Sequence, residues 1–356
     1  MGGGKFLFNA SFEPEKVIYD NSYDNSQNYS AVFQKHEDDV IDFISSNIDI
    51  TNKNVLEVGC GQGEFLKRLA SKKKCNCIGF DPSFVSNNLE DEKHISVFTE
   101  YFNKLSYTKI KHPVKLVIWR NVIGQVPDPL EAIKDIVNVF EPEDDFYLYI
   151  ETPDADWILS NGMYYDIVYE YRSIFTIGSL ESLLNRVGLE VVKSGKMFEE
   201  KYLAVLAKPA KDIKSTADIS EKSAETELHQ TMMNAQKVMT FVKYYLTDLK
   251  KSGGVCVWGA AAKGIMFVNM YDENRQFIDC LCDINPNKQG GFVAHTAHPI
   301  IAPDKLIDYN IKTILVLNSN YVKEIREYEY IQDNGFAVID FEMMMKKISG
   351  INKVEN

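Results

Sequence analysis

The chain has 356 residues, of which 45% are hydrophobic, enough apolar content to fill more than one core. Its 51 acidic and 39 basic residues give a net charge of -12, which disfavours binding to the phosphate backbone of nucleic acids. No run approaches the ~18 apolar residues that cross a bilayer, and the start MGGGKFLFNASF lacks the order of a signal peptide. We therefore expect a cytoplasmic protein of two domains, without a nucleic-acid or membrane partner.

The first segment, residues 1–30, is rich in Tyr, Asn, Ser and Asp and shows no periodicity. Its tyrosines, Tyr19 and Tyr23 among them, each combine apolar area with a hydroxyl group. We therefore predict an irregular arm that covers a substrate. Apolar residues at helical spacing then predict an amphipathic helix over residues 31–48.

Strands and helical segments alternate over residues 31–207, from NVLEVG through NCIGFD and KLVIWRNV to KYLAVLAK. This alternation predicts an α/β domain with a parallel sheet covered by helices on both faces. Residues 208–226 are polar and rich in Lys, Ser and Glu, as is typical of an interdomain linker. A second strand-first series over residues 227–351 predicts a smaller α/β domain.

The cysteine spacing does not favour a metal site. Cys75 and Cys77, like Cys280 and Cys282, form C-x-C pairs inside apolar runs, whereas structural zinc usually uses C-x2-C or wider spacing. We expect these cysteines to be small buried residues of strands. The two histidines of AHTAHP are interpreted as surface residues without a role.

The segment VLEVGCGQGEF places a glycine-rich turn at the carboxyl end of a strand, where open α/β sheets bind their ligands. Its G-x-G-x-G spacing after an acidic residue favours S-adenosylmethionine (SAM) over NAD, whose fingerprint is G-x-G-x-x-G. Asp81, after the next strand, can accept hydrogen bonds from both ribose hydroxyls. An ordinary tight turn with a helix-capping acid is the alternative explanation. The predicted cofactor residues are Glu57, Gly59, Gly61, Gly63 and Asp81.

A second glycine turn, WGAAAKG, opens the second domain. Gly259 and Lys263 lie on a strand-to-helix turn, which presents backbone N–H groups and a cation to an anion. Lys288, in NPNKQGG, adds a second positive charge. We predict a site for the diphosphate of a nucleotide, with a helix start flanked by solvated lysines as the alternative.

Four segments extend these motifs: the tyrosine-rich arm, WRNVIGQVPDP, DIVYEYRSIFT, and WGAAAKG with DINPNKQG. With them the chain resembles the class I SAM-dependent methyltransferases, and among these the family that C-methylates nucleotide-linked deoxysugars. The resemblance implies two Rossmann-like domains, SAM as cofactor and a nucleotide-sugar substrate. The family usually begins with a small zinc-binding module, which this sequence lacks, so we expect no metal.

The resemblance also implies site residues. It places Asn121 near SAM, and it places Gln125 at a substrate position where the family commonly has His. Tyr169 and Glu170 match the family's Tyr-Glu-His pattern, but Tyr171 stands in place of the His. We predict Glu170 as the general base, with Tyr169 or Tyr171 beside it, because a tyrosine needs a strongly lowered pKa to act as a base.

The leading hypothesis is therefore a SAM-dependent methyltransferase that acts on a carbon of a nucleotide-linked sugar, in polysaccharide or secondary-metabolite biosynthesis. The departures at Gln125 and Tyr171 leave open an O-methyltransferase or a non-catalytic protein that binds SAM or a nucleotide. NAD-linked oxidoreduction is disfavoured by the glycine spacing. The identity of the sugar, the methylated atom and the oligomeric state are not predicted.

Overall fold

The computed structural model describes residues 6–20, 29–85, 93–141, 144–210 and 224–351. The contacts divide the chain into two units. The first unit comprises Met1–Ala155 and Tyr169–Glu221, and the second comprises Asp156–Val168 and Lys222–Asn356. The predicted α/β fold with a second α/β unit is confirmed.

The first unit is built on a seven-stranded sheet in the described part of the chain, with the order β4-β3-β2-β5-β6-β9-β8. Neighbouring strands are parallel from β4 to β6, whereas β9 runs antiparallel to both β6 and β8. A short turn joins β8 to β9, and a turn of that kind requires an antiparallel pair. The strands of this unit are β1 (Phe6–Phe8), β2 (Asn54–Val58), β3 (Asn76–Phe80), β4 (Ile95–Phe98), β5 (Val114–Arg120), β6 (Tyr147–Pro153), β7 (Ser173–Phe175), β8 (Leu189–Met197) and β9 (Tyr202–Pro209).

Helices cover both faces of this sheet, as predicted. On one face, α1 (Ala31–Ser45) and α2 (Glu64–Lys73) contribute buried residues such as Ile41 and Leu66. On the other face, α4 (Pro129–Val137) and α6 (Ile177–Arg186) contribute a second set of buried residues. The short helix α3 (Lys104–Tyr107) precedes β5. Burial on both faces explains why the central strands are almost continuously apolar.

The arm is not wholly irregular, which corrects the prediction for its first residues. Strand β1 pairs antiparallel with β7, and Leu7 lies opposite Ile174. Both strands are three residues long, so neither carries a periodic signal in the sequence. Only the pairing of two segments distant in the chain reveals them.

The second unit contains a five-stranded parallel sheet in its described residues, with the order β12-β11-β10-β13-β14. Helix α7 begins inside the predicted linker, of which residues 211–223 lie outside the described residues. The strands are β10 (Gly254–Trp258), β11 (Cys280–Cys282), β12 (Ile300–Ile301), β13 (Ile311–Val316) and β14 (Ala337–Asp340). The helices are α7 (Ala224–Lys251), α8 (Ala262–Tyr271), α9 (Val322–Glu327), α10 (Glu329–Asn334) and α11 (Phe341–Ile351).

Residues 156–168 belong to the second unit, although the sequence places them within the first domain. They follow the start of helix α5 (Ala155–Asn161). The fully buried ring of Tyr165 lies 5.6 Å from the ring of Phe267, and its hydroxyl donates to the carbonyl of Leu317 at 3.1 Å. The predicted domain boundaries of 31–207 and 227–351 are therefore corrected: residues 156–168 belong to the second unit, because Tyr165 is buried there.

The cysteines are buried, as predicted: Cys77 lies in β3 and Cys280 and Cys282 in β11, whereas Cys75 directly precedes β3 and is not a strand residue. No helix in the described part of the chain is long and apolar enough to cross a membrane.

The two histidines of AHTAHP differ in environment, so the expectation that both are surface residues is wrong for His298. Its side chain is fully buried, with Nε2 3.2 Å from Asp272 Oδ2 and Nδ1 2.9 Å from Thr296 Oγ1. Asp272 also accepts the backbone N–H groups of residues 276–278. His295 is largely exposed, as expected.

We expect His298→Ala to lower the free energy of unfolding by about 1–3 kcal/mol, because it removes a partner of the buried Asp272 carboxylate. The matched control is His295→Ala, whose side chain is 63% exposed and whose loss should change stability little. Thermal or urea unfolding measures both. Equal stability of the two variants would show that the contact between His298 and Asp272 does not stabilise the fold.

Candidate active site

The glycine turn joins β2 to α2 with a backbone that favours glycine. Gly59, Gly61 and Gly63 have φ angles of 74°, 53° and 77°. A Cβ atom on Gly59 would lie 2.4 Å from Val122 Cγ2, so a side chain there would displace the turn after β5. A Cβ atom on Gly61 would meet no atom within 4 Å, so the backbone at Gly61 faces open space. The predicted turn therefore has the geometry that leaves its backbone accessible at Gly61.

Asp81, directly after β3, holds this turn in place. Its Oδ2 atom accepts the N–H of Gly61 at 2.8 Å, and its Oδ1 atom accepts the N–H and hydroxyl of Ser83 at 2.8 and 2.6 Å. A carboxylate offers about four acceptor positions, of which three are in use. The structure thus brings Asp81 to the turn and leaves room for about one further donor, where the sequence analysis expected two ribose hydroxyls.

Glu57, the acid that precedes the glycines, is buried at the carboxyl end of β2. Its Oε2 atom has no hydrogen-bond partner among the described residues. Burial raises the pKa of Glu57 to about 8; Arg120 opposes this shift, while Glu37, Asp81 and Glu151 reinforce it. The raised pKa favours the protonated form of Glu57 at neutral pH, and its Oε2 atom is open to a further partner within the described part of the chain.

Arg120 is a buried cation at the carboxyl edge of the first unit's sheet, and it was not predicted from the sequence. It lies at the end of β5, with Nε 3.3 Å from Glu151 Oε1 and Nη1 3.7 Å from Glu37 Oε1. Burial by itself would raise the pKa of Glu151, but Arg120 and His36 hold it at about 2. A charged residue at the end of an apolar strand, as in VIWR and YIET, is the sequence signal for this pair.

Asn121 follows Arg120 in a left-handed conformation, with φ of 56°. Its backbone N–H donates to the carbonyl of Glu151 at 2.7 Å, which fixes the turn after β5 to the end of β6. The Oδ1 atom of Asn121 is buried without a partner among the described residues. Asn121 and Glu57 therefore each offer a buried, unpartnered oxygen at the carboxyl edge of the sheet.

The predicted substrate residues Tyr19 and Gln125 are in contact. The Tyr19 hydroxyl donates to Gln125 Oε1 at 2.7 Å, so the arm reaches the turn after β5. Tyr171 lies against the same turn, because a Cβ atom on Gly124 would be 2.9 Å from its ring. The N–H of Ser173 also donates to the carbonyl of Gly124 at 2.9 Å. Tyr23 lies outside the described residues.

Tyr169 and Glu170 occupy different environments. The Tyr169 hydroxyl accepts the N–H of Glu13 at 3.1 Å and donates to the carbonyl of Ser11 at 3.2 Å, so it is engaged with the arm backbone. Glu170 is partly buried, and its carboxylate forms no hydrogen bond or ion pair within the described residues. The environment of Tyr169 favours an anchoring role over the predicted place beside a base.

In the second unit, Gly259 ends β10 with φ of 99° and precedes α8. Lys263 does not extend freely into this turn, because its Nζ atom donates to Asp166 Oδ2 at 2.6 Å. Lys288 is partly buried and forms no ion pair within the described residues. The described residues include no group of three or more His, Cys, Asp or Glu side chains that could hold a metal ion.

Comparisons with known proteins agree with this arrangement. The family model of a methyltransferase domain matches residues 30–194, and that of a C-methyltransferase C-terminal domain matches residues 212–340. The C-methyltransferase NovU of Streptomyces niveus is 22% identical over 323 residues, which are 86% of this chain and 76% of NovU.

Two solved structures are similar to about half of the chain. A SAM-dependent methyltransferase from Aquifex aeolicus is 16% identical, with a TM-score of 0.38 over 56% of this chain and 99% of its own. The 1,6-didemethyltoxoflavin-N1-methyltransferase of Burkholderia thailandensis is 12% identical, with a TM-score of 0.37 over 51% of this chain and 79% of its own.

The glycine turn, the matches to both family models and the relation to NovU agree on one class of protein. The chain is a class I SAM-dependent methyltransferase whose second unit matches the C-methyltransferase C-terminal domain.

Proposed function

We propose that this enzyme transfers the methyl group of SAM to a carbon of a sugar that is carried on a nucleotide. The observation that carries the proposal is the match of the second unit to a C-methyltransferase C-terminal domain, in a chain with a glycine turn in each unit. Two such turns suit two ligands, a cofactor and a nucleotide. The product enters the biosynthesis of a polysaccharide or a secondary metabolite.

In this proposal the cofactor lies along the carboxyl edge of the first unit's sheet. The open backbone at Gly61 allows close approach, and Asp81 accepts a ribose hydroxyl at its remaining acceptor position. The unpartnered oxygens of Glu57 and Asn121 suit the cationic ammonium group of the cofactor. The residues that hold SAM are Glu57, Gly59, Gly61, Gly63, Asp81 and Asn121.

SAM supplies an electrophilic methyl group on a good leaving group, so the protein must activate and orient the nucleophile. A sugar carbon beside a ketone becomes nucleophilic when it loses a proton to a base, and a nearby donor stabilises the enolate oxygen. Glu170 is the base in this proposal, because its carboxylate is not engaged by another described side chain. The Tyr19 hydroxyl and the Tyr171 ring lie against the turn after β5, and in this proposal they exclude water from the reacting atoms.

The nucleotide is assigned to the second unit. Its phosphates meet the backbone N–H groups that follow Gly259 and the ammonium group of Lys288. Lys263 contributes less charge than expected, because it is paired with Asp166. Its main effect is to fix the start of α8 against the 156–168 insertion.

We expect Asp81→Asn to weaken SAM binding by about 1–3 kcal/mol, because an amide cannot accept hydrogen bonds at both of its ends. Isothermal calorimetry measures the affinity. Asp135→Asn, an exposed residue of α4, is the matched control and should bind SAM as the wild type does. Unchanged affinity in Asp81→Asn would remove this residue from the cofactor site.

Glu57→Gln should stabilise the unliganded protein while it weakens SAM binding. Wild-type Glu57 has an unfolded pKa of 4.5 and a folded pKa of about 8, so between these values it must take up a proton on folding, and the protein loses stability as pH rises through this range. The neutral glutamine avoids that cost. We expect the free energy of unfolding of Glu57→Gln to exceed that of the wild type by an amount that grows between pH 5 and about pH 8, by roughly 1 kcal/mol or more, as measured by urea unfolding at each pH. A pH-independent difference would show that Glu57 is already ionised in the folded protein.

We expect Glu170→Gln to abolish turnover with SAM affinity unchanged, since only proton removal is lost. Glu181→Gln, on α6, is the control that should retain full activity. Labelled methyl transfer to the nucleotide sugar measures turnover. Deuterium exchange at the sugar carbon without SAM distinguishes the alternatives, because only C-methylation removes that proton first. Exchange in the wild type but not in Glu170→Gln is the expected result, and methyl transfer without exchange would indicate O-methylation.

A further inference from the structure

Four acids of the first unit are buried together at the carboxyl edge of its sheet, on the face covered by α1 and α2. Each is at most 9% exposed: Glu37 of α1, Glu57 of β2, Asp81 after β3 and Glu151 of β6. In the described part of the chain, the ion pairs of these acids involve Arg120 and His36. The cluster therefore contains more carboxyl groups than cations to balance them, and such an excess favours protonation of one of its acids.

The cations of this cluster pair with other acids rather than with Glu57. Arg120 Nε lies 3.3 Å from Glu151 Oε1, and Arg120 Nη1 lies 3.7 Å from Glu37 Oε1. His36 Nε2 lies 3.3 Å from Glu151 Oε2. Glu57 forms no ion pair with a described residue, and its buried Oε2 atom has no hydrogen-bond partner there. A negative charge on Glu57 would therefore be the least compensated charge of the cluster.

The groups around Glu57 oppose its ionisation. Those that face it from the neighbouring elements are the thiols of Cys60 and Cys77, the acids Glu37, Asp81 and Glu151, and the guanidinium of Arg120. Burial is the main cause that raises the pKa of Glu57 to about 8; the three acids add to the rise, and Arg120 opposes it. Burial raises the pKa of Cys60, and the contact with Cys75 raises that of Cys77, so both thiols stay uncharged at neutral pH.

An ammonium group at this place would reverse the balance. The glycine turn that follows Glu57 touches the turn after β5, because a Cβ atom on Gly59 would lie 2.4 Å from Val122 Cγ2. Asn121, on that second turn, has a buried Oδ1 atom without a partner among the described residues. An ammonium group has three N–H donors, and its positive charge favours the ionised form of a nearby carboxyl group.

We propose that Glu57 exchanges its proton for the ammonium group of the cofactor, so that binding turns its carboxyl group into a carboxylate and releases one proton to the solvent. This inference rests on the proposed placement of the ammonium group at Glu57 and Asn121. The O–H bond of the carboxyl group is the one bond that breaks, and its proton passes to the buffer. The product, S-adenosylhomocysteine (SAH), also carries an ammonium group, so it binds with the same exchange.

The exchange links the affinity of the cofactor to pH. Protons compete with the ligand wherever the free protein binds a proton that the complex has lost, which is the range below the pKa of about 8. The affinity therefore rises as pH rises and levels off above that pKa. We expect the Kd of SAH to fall by about tenfold for each pH unit between about pH 6 and about pH 7.5.

The first experiment counts the protons released by the wild type. Calorimetry of SAH binding at pH 7, in buffers with different enthalpies of ionisation, gives the number directly. We expect about 0.9 proton for SAH, and about zero for 5′-methylthioadenosine, which lacks the ammonium group. Binding of SAH without proton release would overturn the proposal, and so would equal release by the two ligands.

The second experiment assigns the proton to Glu57. Glu57→Gln keeps the shape of the side chain but has no titrating proton, so it should bind SAH more weakly, with no proton released and no change in affinity between pH 6 and pH 8. Glu131→Gln, on α4, is the matched control, because the Glu131 side chain is 60% exposed. It should release as many protons as the wild type. Release that persists in Glu57→Gln would assign the proton to another group and overturn the proposal.

An infrared measurement does not depend on the affinity of the variant. The free wild type should show the C=O band of a protonated carboxyl group, and this band should disappear when SAH binds. The band should be missing from free Glu57→Gln, and circular dichroism establishes that this variant is folded. A band that remains in the wild-type complex would contradict the exchange.

The outcomes separate this inference from the proposed function. If Glu57→Gln binds SAH as tightly as the wild type does, the placement of the ammonium group fails and the inference fails with it. If Glu57→Gln binds SAH more weakly but the wild type releases no proton, only the inference fails. If release is lost both in Glu57→Gln and with 5′-methylthioadenosine, both are supported.

Discussion

A hydrogen bond from a backbone N–H to a buried carboxylate fixes the glycine turn in each unit. In the first unit it joins Gly61 to Asp81, and in the second it joins Ala260 to Asp283. The carboxylate orients the turn and is itself oriented by the N–H groups that it accepts, so neither part is free to move alone. The same bond joins the ends of two neighbouring strands at the carboxyl edge of each sheet. The glycines, the helix start and the acid have their present geometry because of it.

The first unit contains more buried acid than buried base at this edge. Arg120 offsets Glu151 and, at a longer distance, Glu37, whereas Glu57 is left to hold a proton. Such a cluster destabilises the unliganded protein relative to an apolar core. A cationic ligand group relieves the deficit, and this difference between the empty and the occupied site contributes to affinity. The proposed function uses this acid for SAM recognition, at a cost in the stability of the protein without the cofactor.

The reacting end of the site is assembled from segments that are distant in the chain. The turn after β5, the 169–173 segment and the arm meet through Gly124, Gln125 and Tyr19. Tyr169 holds the arm by its backbone, which gives a physical reason for a tyrosine there without a role in proton transfer. Neighbouring Glu170 has no such partner among the described residues, and for this reason the proposal assigns it the role of base.

The sequence by itself determined the α/β class, because the class depends on local periodicity. It also placed Cys77, Cys280 and Cys282 in strands, for the same reason. It also determined the two glycine turns and Asp81, because a turn and its acid lie about twenty residues apart around one strand-turn-helix unit. Only the tertiary structure decided which polar groups meet. Examples are the pairing of β1 with β7, the burial of His298 against Asp272, the network around Arg120 and the capture of Lys263 by Asp166. Each of these joins segments whose separation in the chain gives no periodic signal, and their contacts exist only once the sheets and the 156–168 insertion have packed.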